Sequence, residues 1–156
     1  MINDVKLPQG TPAWFEMVGT LMNDFAAKES LPIQLNVSFV ERYIDGVEIG
    51  DGLVQGIRFD IVNGRPSFRI GAGRDERADV IVEVTAAVAR ELNSMKCDDP
   101  AYPAARDRAV AAGNMRVYGD PSRLGGWLDA VHDSIIDRTI QRPSNGITAR
   151  EKVDDV

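Results

Sequence analysis

A chain of 156 residues, 44% hydrophobic and 27% charged, has the size and composition of one globular domain with a real core. Its net charge of -6 leaves no surplus of cations to displace phosphate counterions, which argues against a nucleic-acid partner. One cysteine, Cys97, precludes an intrachain disulfide, and with His132 as the single histidine a Cys/His zinc site is excluded too.

The N-terminal MINDVKLPQG has no apolar h-region, and no long uncharged apolar run occurs. Neither a signal peptide nor a membrane span is expected, and the expected location is cytoplasmic. The C-terminal DDV is not a peroxisomal address. Asn36-Val37-Ser38 matches a glycosylation sequon, but it falls inside an expected strand of a chain with no export signal. Arg65, Arg69, Arg74 and Arg77 lie close in sequence and read as a solvated sheet edge and loop.

In chain order, residues 1–10 read as an arm. Thr11 is placed to cap a helix, with Pro12 at its first position and an end near Glu29. Trp14, Val18, Leu21 and Phe25 form one stripe of that helix, widened by Phe15, Met22 and Ala26. Pro32 follows its end. A meander comes next. Ile33, Leu35, Val37 and Phe39 alternate with Gln34, Asn36 and Ser38, and the run extends to Tyr43. From Leu53 to Val62, Leu53, Ile57, Phe59 and Ile61 share a face opposite Arg58 and Asp60. Asn63-Gly64 is a hairpin turn signal, and Pro66 to Ile70 returns with Phe68 and Ile70 inward. GAGRDERA is a loop, and Val80, Val82 and Val84 mark a fourth strand.

Thr85 can cap a short helix through Met95, with Val88 and Leu92 inward. The stretch KCDDPAYPAARDRAVAAG is broken by Pro100 and Pro103 and reads as one or two short helices. Met115 and Val117 then alternate with Arg116 and Tyr118 in a fifth strand. Gly119 allows a turn, Asp120 caps, and Pro121 opens a long helix. Leu124, Leu128, Val131 and Ile135 share its apolar face. The tail from 143 to 156 reads as loosely ordered. Each strand has one oily and one wet face, which the helices must cover. The expected class is α+β: a five-stranded, mostly antiparallel sheet with helices on one face.

The strand ADVIVEVT at Ala78 with its following helix, and the block AAGNMRVYGDPSRLGGWL from Ala111, resemble the sterol carrier protein type 2 (SCP2-like) sterol-binding domain. The resemblance spans roughly residues 11–141. Its second half is the specific part, and its first half matches mainly in element order. It implies one domain over residues 11–142, with an apolar tunnel between sheet and helices that binds sterols, fatty acids, fatty acyl-CoA or related lipids. The loop carrying Cys97, Asp98, Asp99 and two prolines is longer than the family's and falls where such a tunnel would open. The family shares no catalytic set, so no catalytic residue carries over.

An oily tunnel needs no anchor motif. Ten buried methylenes at about 0.8 kcal/mol each offer roughly 8 kcal/mol, which outlasts several kcal/mol of binding costs. The residues that could line it are Phe15, Met22, Phe25, Phe39, Phe59, Met115, Trp127 and Leu128, and each of them could equally be solid core. Two polar residues fall on the apolar phase of their strands. Glu41 continues the Ile33–Phe39 face, and an unpaired carboxylate buried there would be costly. It reads as a strand end in solvent, because Arg42, Asp45 and Gly46 follow. The alternative is a polar contact at the tunnel mouth, or an acid or base. Gln55 lies between Leu53 and Ile57 and could offer an amide to a ligand.

No metal, cofactor or catalytic set is read from the sequence. There is no GxSxG, no Walker lysine, and Gly71-Ala72-Gly73 lacks the third glycine and the βαβ context of a dinucleotide site. Asp98 and Asp99 disfavour a thiolate at Cys97. Three functions stay open. The first is binding, with or without transfer, of a hydrophobic small molecule. The second is a small enzyme acting on a terpenoid, steroid or acyl-CoA with Glu41 and His132 as acid and base. The third is an interaction module whose groove takes a partner's tail or helix. A homodimer through a sheet edge is compatible with all of them.

Overall fold

The computed structural model describes residues 5–141, so the expected tail from 143 lies outside the described residues. Helix α1 (Pro12–Lys28) starts where Thr11 caps it. Thr11 Oγ1 accepts from the Trp14 N–H at 3.2 Å, and Pro12 fills the first turn. Strand β1 (Val37–Tyr43) is shorter than the apolar alternation suggests. The backbone first turns at Pro32, whose carbonyl accepts from the Leu35 N–H at 3.0 Å, and Ile33 is left exposed. A short β2 (Glu48–Gly50) precedes β3 (Leu53–Val62) and β4 (Arg65–Ala72). The β3–β4 hairpin turns on Asn63 and Gly64, at φ 52° and 78°, the positive values a type I′ turn requires. Strand β5 (Val80–Val84) leads to α2 (Ala86–Leu92), where Thr85 Oγ1 accepts from the Val88 N–H at 3.2 Å. The proline-broken stretch forms one helix, α3 (Tyr102–Ala111), ahead of β6 (Met115–Tyr118).

The long helix expected after Pro121 is interrupted. Pro121–Arg123 makes a single 3-10 turn, with Asp120 Oδ1 accepting from the Ser122 N–H at 3.0 Å, and α4 (Leu128–Asp137) begins afterwards. Gly125-Gly126 is the cause. Gly125 sits at φ 132°, and each glycine costs a helix about 1 kcal/mol relative to alanine. Leu124 therefore lies ahead of α4 and not on its apolar face.

The strands form one six-stranded sheet in the order β2-β3-β1-β5-β6, with β4 also paired to β3. The β1–β5 pair is parallel and the other pairs are antiparallel. This is the mostly antiparallel sheet of the α+β class, with one strand more than expected. Helix α1 packs on β4 and β3, and α4 packs mainly against α1. The wet face of the sheet carries charges that neutralise one another. Arg42, 8% exposed, donates to Glu83 and to the carbonyls of Gly73 and Glu76. Arg58 pairs with Asp60 and Glu76, and Arg69 also pairs with Glu76. Burial alone would raise the Glu76 carboxyl, but Arg69, the Gly73 N–H and Arg58 outweigh it and hold it at about 2.

The helical roof is fastened at its ends. Trp14 Nε1–H donates to Thr139 Oγ1 at 2.8 Å, and that hydroxyl donates to the Ile135 carbonyl at 2.6 Å, linking α1 to the end of α4. The arm adds a second tie, with Leu7 N–H donating to Arg138 O and Ile140 N–H to Leu7 O, both at 2.9 Å. Replacing Thr139 by Val keeps the shape and orphans the buried indole N–H. The expected loss is about 1–3 kcal/mol of unfolding free energy, measured by urea denaturation. An unchanged midpoint would show that the clamp contributes nothing.

Candidate functional site

Between α1, α4 and the sheet lies a cavity of about 280 Å³. That volume is close to the lower end of small-molecule sites. Its floor is the inward face of the central strands, with Phe39 and Glu41 from β1, Ile57 from β3, and Val82 and Val84 from β5. Trp14, Phe15, Val18 and Met22 of α1 form one wall, and Leu128, Val131 and Ile135 of α4 form the roof. Their spacing by three and four residues aims each set downward. Met115 of β6 closes the far side. The exposed Arg106, Val117 and Asp129 also line the space, so it reaches the surface between α3, β6 and α4.

Glu41 is the acidic group on the cavity floor. It sits in the middle strand of the sheet, opposite Ile57 on one side and Val82 on the other. It is not a strand end in solvent, as its sequence neighbours suggest. β1 continues through Arg42 and Tyr43, and Phe39 and Tyr43 on the same face are buried. The surface Glu41 keeps faces the cavity. Its carboxyl has no hydrogen-bond or ion-pair partner among the described residues. Burial raises its pKa to about 7.

His132 and Cys97 line the same space. His132 Nε2 lies 2.9 Å from the Met95 carbonyl. A carbonyl only accepts, so Nε2 carries the proton and Nδ1 keeps its lone pair when the ring is neutral. Cys97 N–H donates to Asp133 Oδ1 at 2.9 Å. Burial first, then Asp129 and Asp133, pushes the Cys97 thiol up to about 12, so it is a poor nucleophile. The donor atoms of Cys97, His132 and Asp133 lie within 4.8 Å of one another. A residue count excludes a Cys/His zinc site, but it does not cover this mixed thiol, imidazole and carboxylate set, which could hold a metal ion.

Of the residues singled out in the sequence, Phe15, Met22, Phe39, Glu41, Met115 and Leu128 meet at the cavity. The other four lie apart from it. Phe59 is fully buried and packs edge-on against Trp127, with ring centroids 5.7 Å apart. Trp127 is buried by the turn before α4, its Nε1–H donating to the Leu124 carbonyl at 3.0 Å. Phe25 is partly buried further along α1, with Lys28 above its ring. Gln55 keeps the inward face it shares with Ile57, but it stands beside Tyr43 and Gly10, where the arm enters α1, and does not line the cavity. Its amide is already used, accepting from the Val47 N–H at 3.0 Å and donating to the Gly10 carbonyl at 2.9 Å. Tyr102 lines the cavity without having been singled out. Its position in a proline-broken stretch gives no periodicity to follow.

The raised Glu41 pKa makes stability depend on pH. Below about 4.5 the group is protonated both folded and unfolded and costs nothing. As pH rises to about 7 the unfolded chain ionises first, so the contribution to stability is progressively lost. Urea unfolding at pH 5 and pH 8 should show the wild type losing up to about 3 kcal/mol more than Glu41→Gln over that interval. Parallel losses in both proteins would remove Glu41 as the cause.

No family model matches this chain, and no curated protein matches it. Solved structures do. A conserved hypothetical protein of Thermus thermophilus, described as a candidate sterol carrier protein, is 15% identical, with a TM-score of 0.49 over 92% of this chain and 100% of its own. A crystal structure of sterol carrier protein 2 is 12% identical, with a TM-score of 0.48 over 85% and 99%. The sterol carrier protein domain 2 of Helicoverpa armigera is 14% identical, with a TM-score of 0.41 over 88% and 98%. The chain is thus similar to sterol carrier proteins over most of its length.

Proposed function

We propose that this chain binds a hydrophobic small molecule in the cavity between its helices and its sheet. The supporting observation is the space itself: an apolar hollow that reaches the surface, where a solid domain of this size would be filled. Phe15, Met22, Phe39, Met115 and Leu128 are the proposed apolar contacts. Methionine suits such a wall, because its flexible, polarisable side chain adapts to ligands of different outline. Sterols, fatty acids and acyl chains are the ligand classes that the sequence resemblance implies, and carrying such a ligand between sites is the accompanying role. Among the described residues no helix is long and apolar enough to cross a membrane, so the ligand is proposed to be enclosed by the domain and not held at a transmembrane segment.

A second reading has one observation in its favour. Glu41 and His132 face the same cavity, and Glu41 is shifted into the range where general acids and bases work. A small enzyme acting on a hydrophobic metabolite would use this pair. Turnover that survives in both Glu41→Gln and His132→Ala would dismiss it.

The binding reading is tested by filling the hollow. Leu128 is partly exposed at the roof, so Leu128→Trp can occupy the space without breaking the core. Affinity for a fluorescent acyl-chain probe should fall at least about tenfold, while the thermal midpoint moves by no more than a few degrees. Gently purified wild-type protein should also yield lipid in the mass spectrum of its organic extract. An empty extract together with unaltered probe binding in the tryptophan variant would overturn the proposal.

A further inference from the structure

The two neighbouring charges on β1 are treated in opposite ways. Arg42 points to the wet face, where Glu83 and two carbonyls take up its guanidinium. Glu41 lines the cavity, and among the described residues its carboxyl has neither a hydrogen-bond nor an ion-pair partner. The cation of the cavity lining, Arg106, is exposed on α3 with its guanidinium 6.0 Å from the Tyr102 ring centroid. A carboxyl that faces an apolar cavity with no protein partner is expensive to ionise and is rarely retained in a structural position. Here it stands on a central strand, beneath the cavity.

We propose that Glu41 is the polar anchor of this cavity and selects a hydroxyl-bearing hydrophobe, a long-chain alcohol, over the corresponding carboxylate. The proposal rests on the reading of the cavity as a binding site for hydrophobic molecules. The chemistry is asymmetric. A hydroxyl is both donor and acceptor, so it bonds Glu41 in either state, donating to the carboxylate or accepting from the carboxylic acid. A ligand carboxylate can bond only the protonated form, and it meets a like charge at close range once Glu41 ionises. Apolar walls cannot make this distinction, because they contact alkyl chains that are the same in both ligands. The alcohol therefore binds with little dependence on pH, and the acid loses affinity as pH rises through neutrality.

Other groups near Glu41 must be separated from it. Its own strand brings Tyr43. The helices and the α2–α3 loop bring Cys97, Tyr102, Arg106, Asp129 and His132, while α1, β3, β5 and β6 present apolar side chains to the cavity. All of these remain in a Glu41 variant, so a pH effect that vanishes with Glu41 belongs to Glu41.

The test is displacement of the neutral apolar probe N-phenyl-1-naphthylamine by 1-dodecanol and by dodecanoate, each below its aggregation limit, at about pH 6 and about pH 8.5. In the wild type the dodecanol constant should change less than about threefold, and dodecanoate should weaken about tenfold or more at the higher pH. In Glu41→Gln the pH dependence of dodecanoate should disappear. In Glu41→Leu dodecanol should weaken about tenfold, with retained probe binding reporting an intact cavity. Equal displacement by both ligands at both pH values, or an unweakened dodecanol in Glu41→Leu, would overturn the assignment of Glu41 while leaving the binding site standing. Displacement by neither ligand would overturn the binding reading and this one with it.

Discussion

The cavity depends on how the helical layer is supported. α1 grips the sheet through β3 and β4, whereas α4 is held mainly by α1 and by the Trp14–Thr139 clamp. A helix held from the side and the end does not have to settle onto the strands below it. Its apolar face, Leu128, Val131 and Ile135, is buried against a hollow and not against a dense core. Trp127, at the start of α4, rests on Phe59 of the sheet, while the apolar face further along the helix stands over the hollow. The 3-10 turn and Gly125-Gly126 serve the same end. They end the run from β6 before α4 begins, so the axis of α4 is not dictated by the strand that precedes it.

Charge is distributed to match. The outer face of the sheet neutralises its charges in groups: Arg42 and Arg116 share Glu83, while Arg58 and Arg69 share Glu76. Each group orders long side chains around a common carboxylate, and the low pKa of Glu76 reports that its partners outweigh burial. On the other face the Glu41 carboxyl has no hydrogen-bond or ion-pair partner among the described residues. Departures from such local consistency concentrate at sites of function, where stability is given up for chemistry.

The local rules of the sequence carry most of the architecture. Thr11 and Thr85 act as caps, Asn63-Gly64 makes the turn, and the alternation in β1, β3 and β5 separates wet from oily faces. What is not legible has definite causes. Two adjacent glycines inside an apolar period are invisible to the period itself, so the pattern groups Leu124 with α4. Alternation assigns Gln55 to the right face but does not show that Val47 and Gly10 already occupy its amide, because those partners come from other segments of the chain. Phe59 and Trp127 are indistinguishable in sequence from Phe39 and Leu128, because periodicity reports which way a side chain points and not whether anything fills the space above it. Glu41 is misleading for a related reason. Polar residues after it suggest a fraying end, but β1 is the middle of the sheet, and strand order is a long-range property.

In the proposed binding site, affinity and selectivity would fall to different parts. The methyl, methylene and ring surfaces of α1, α4 and the sheet interact with apolar matter in proportion to the area buried, which gives strength with little discrimination. A difference in binding between two ligands of equal chain length must come from a group that treats their ends differently. In the floor of the cavity the proposed group is Glu41, since the backbone of a central strand is engaged in the sheet and the other side chains lining the floor are apolar. On that proposal its position would also set orientation, because a polar end that reaches Glu41 leaves the apolar body beneath α4 and toward the opening at Val117.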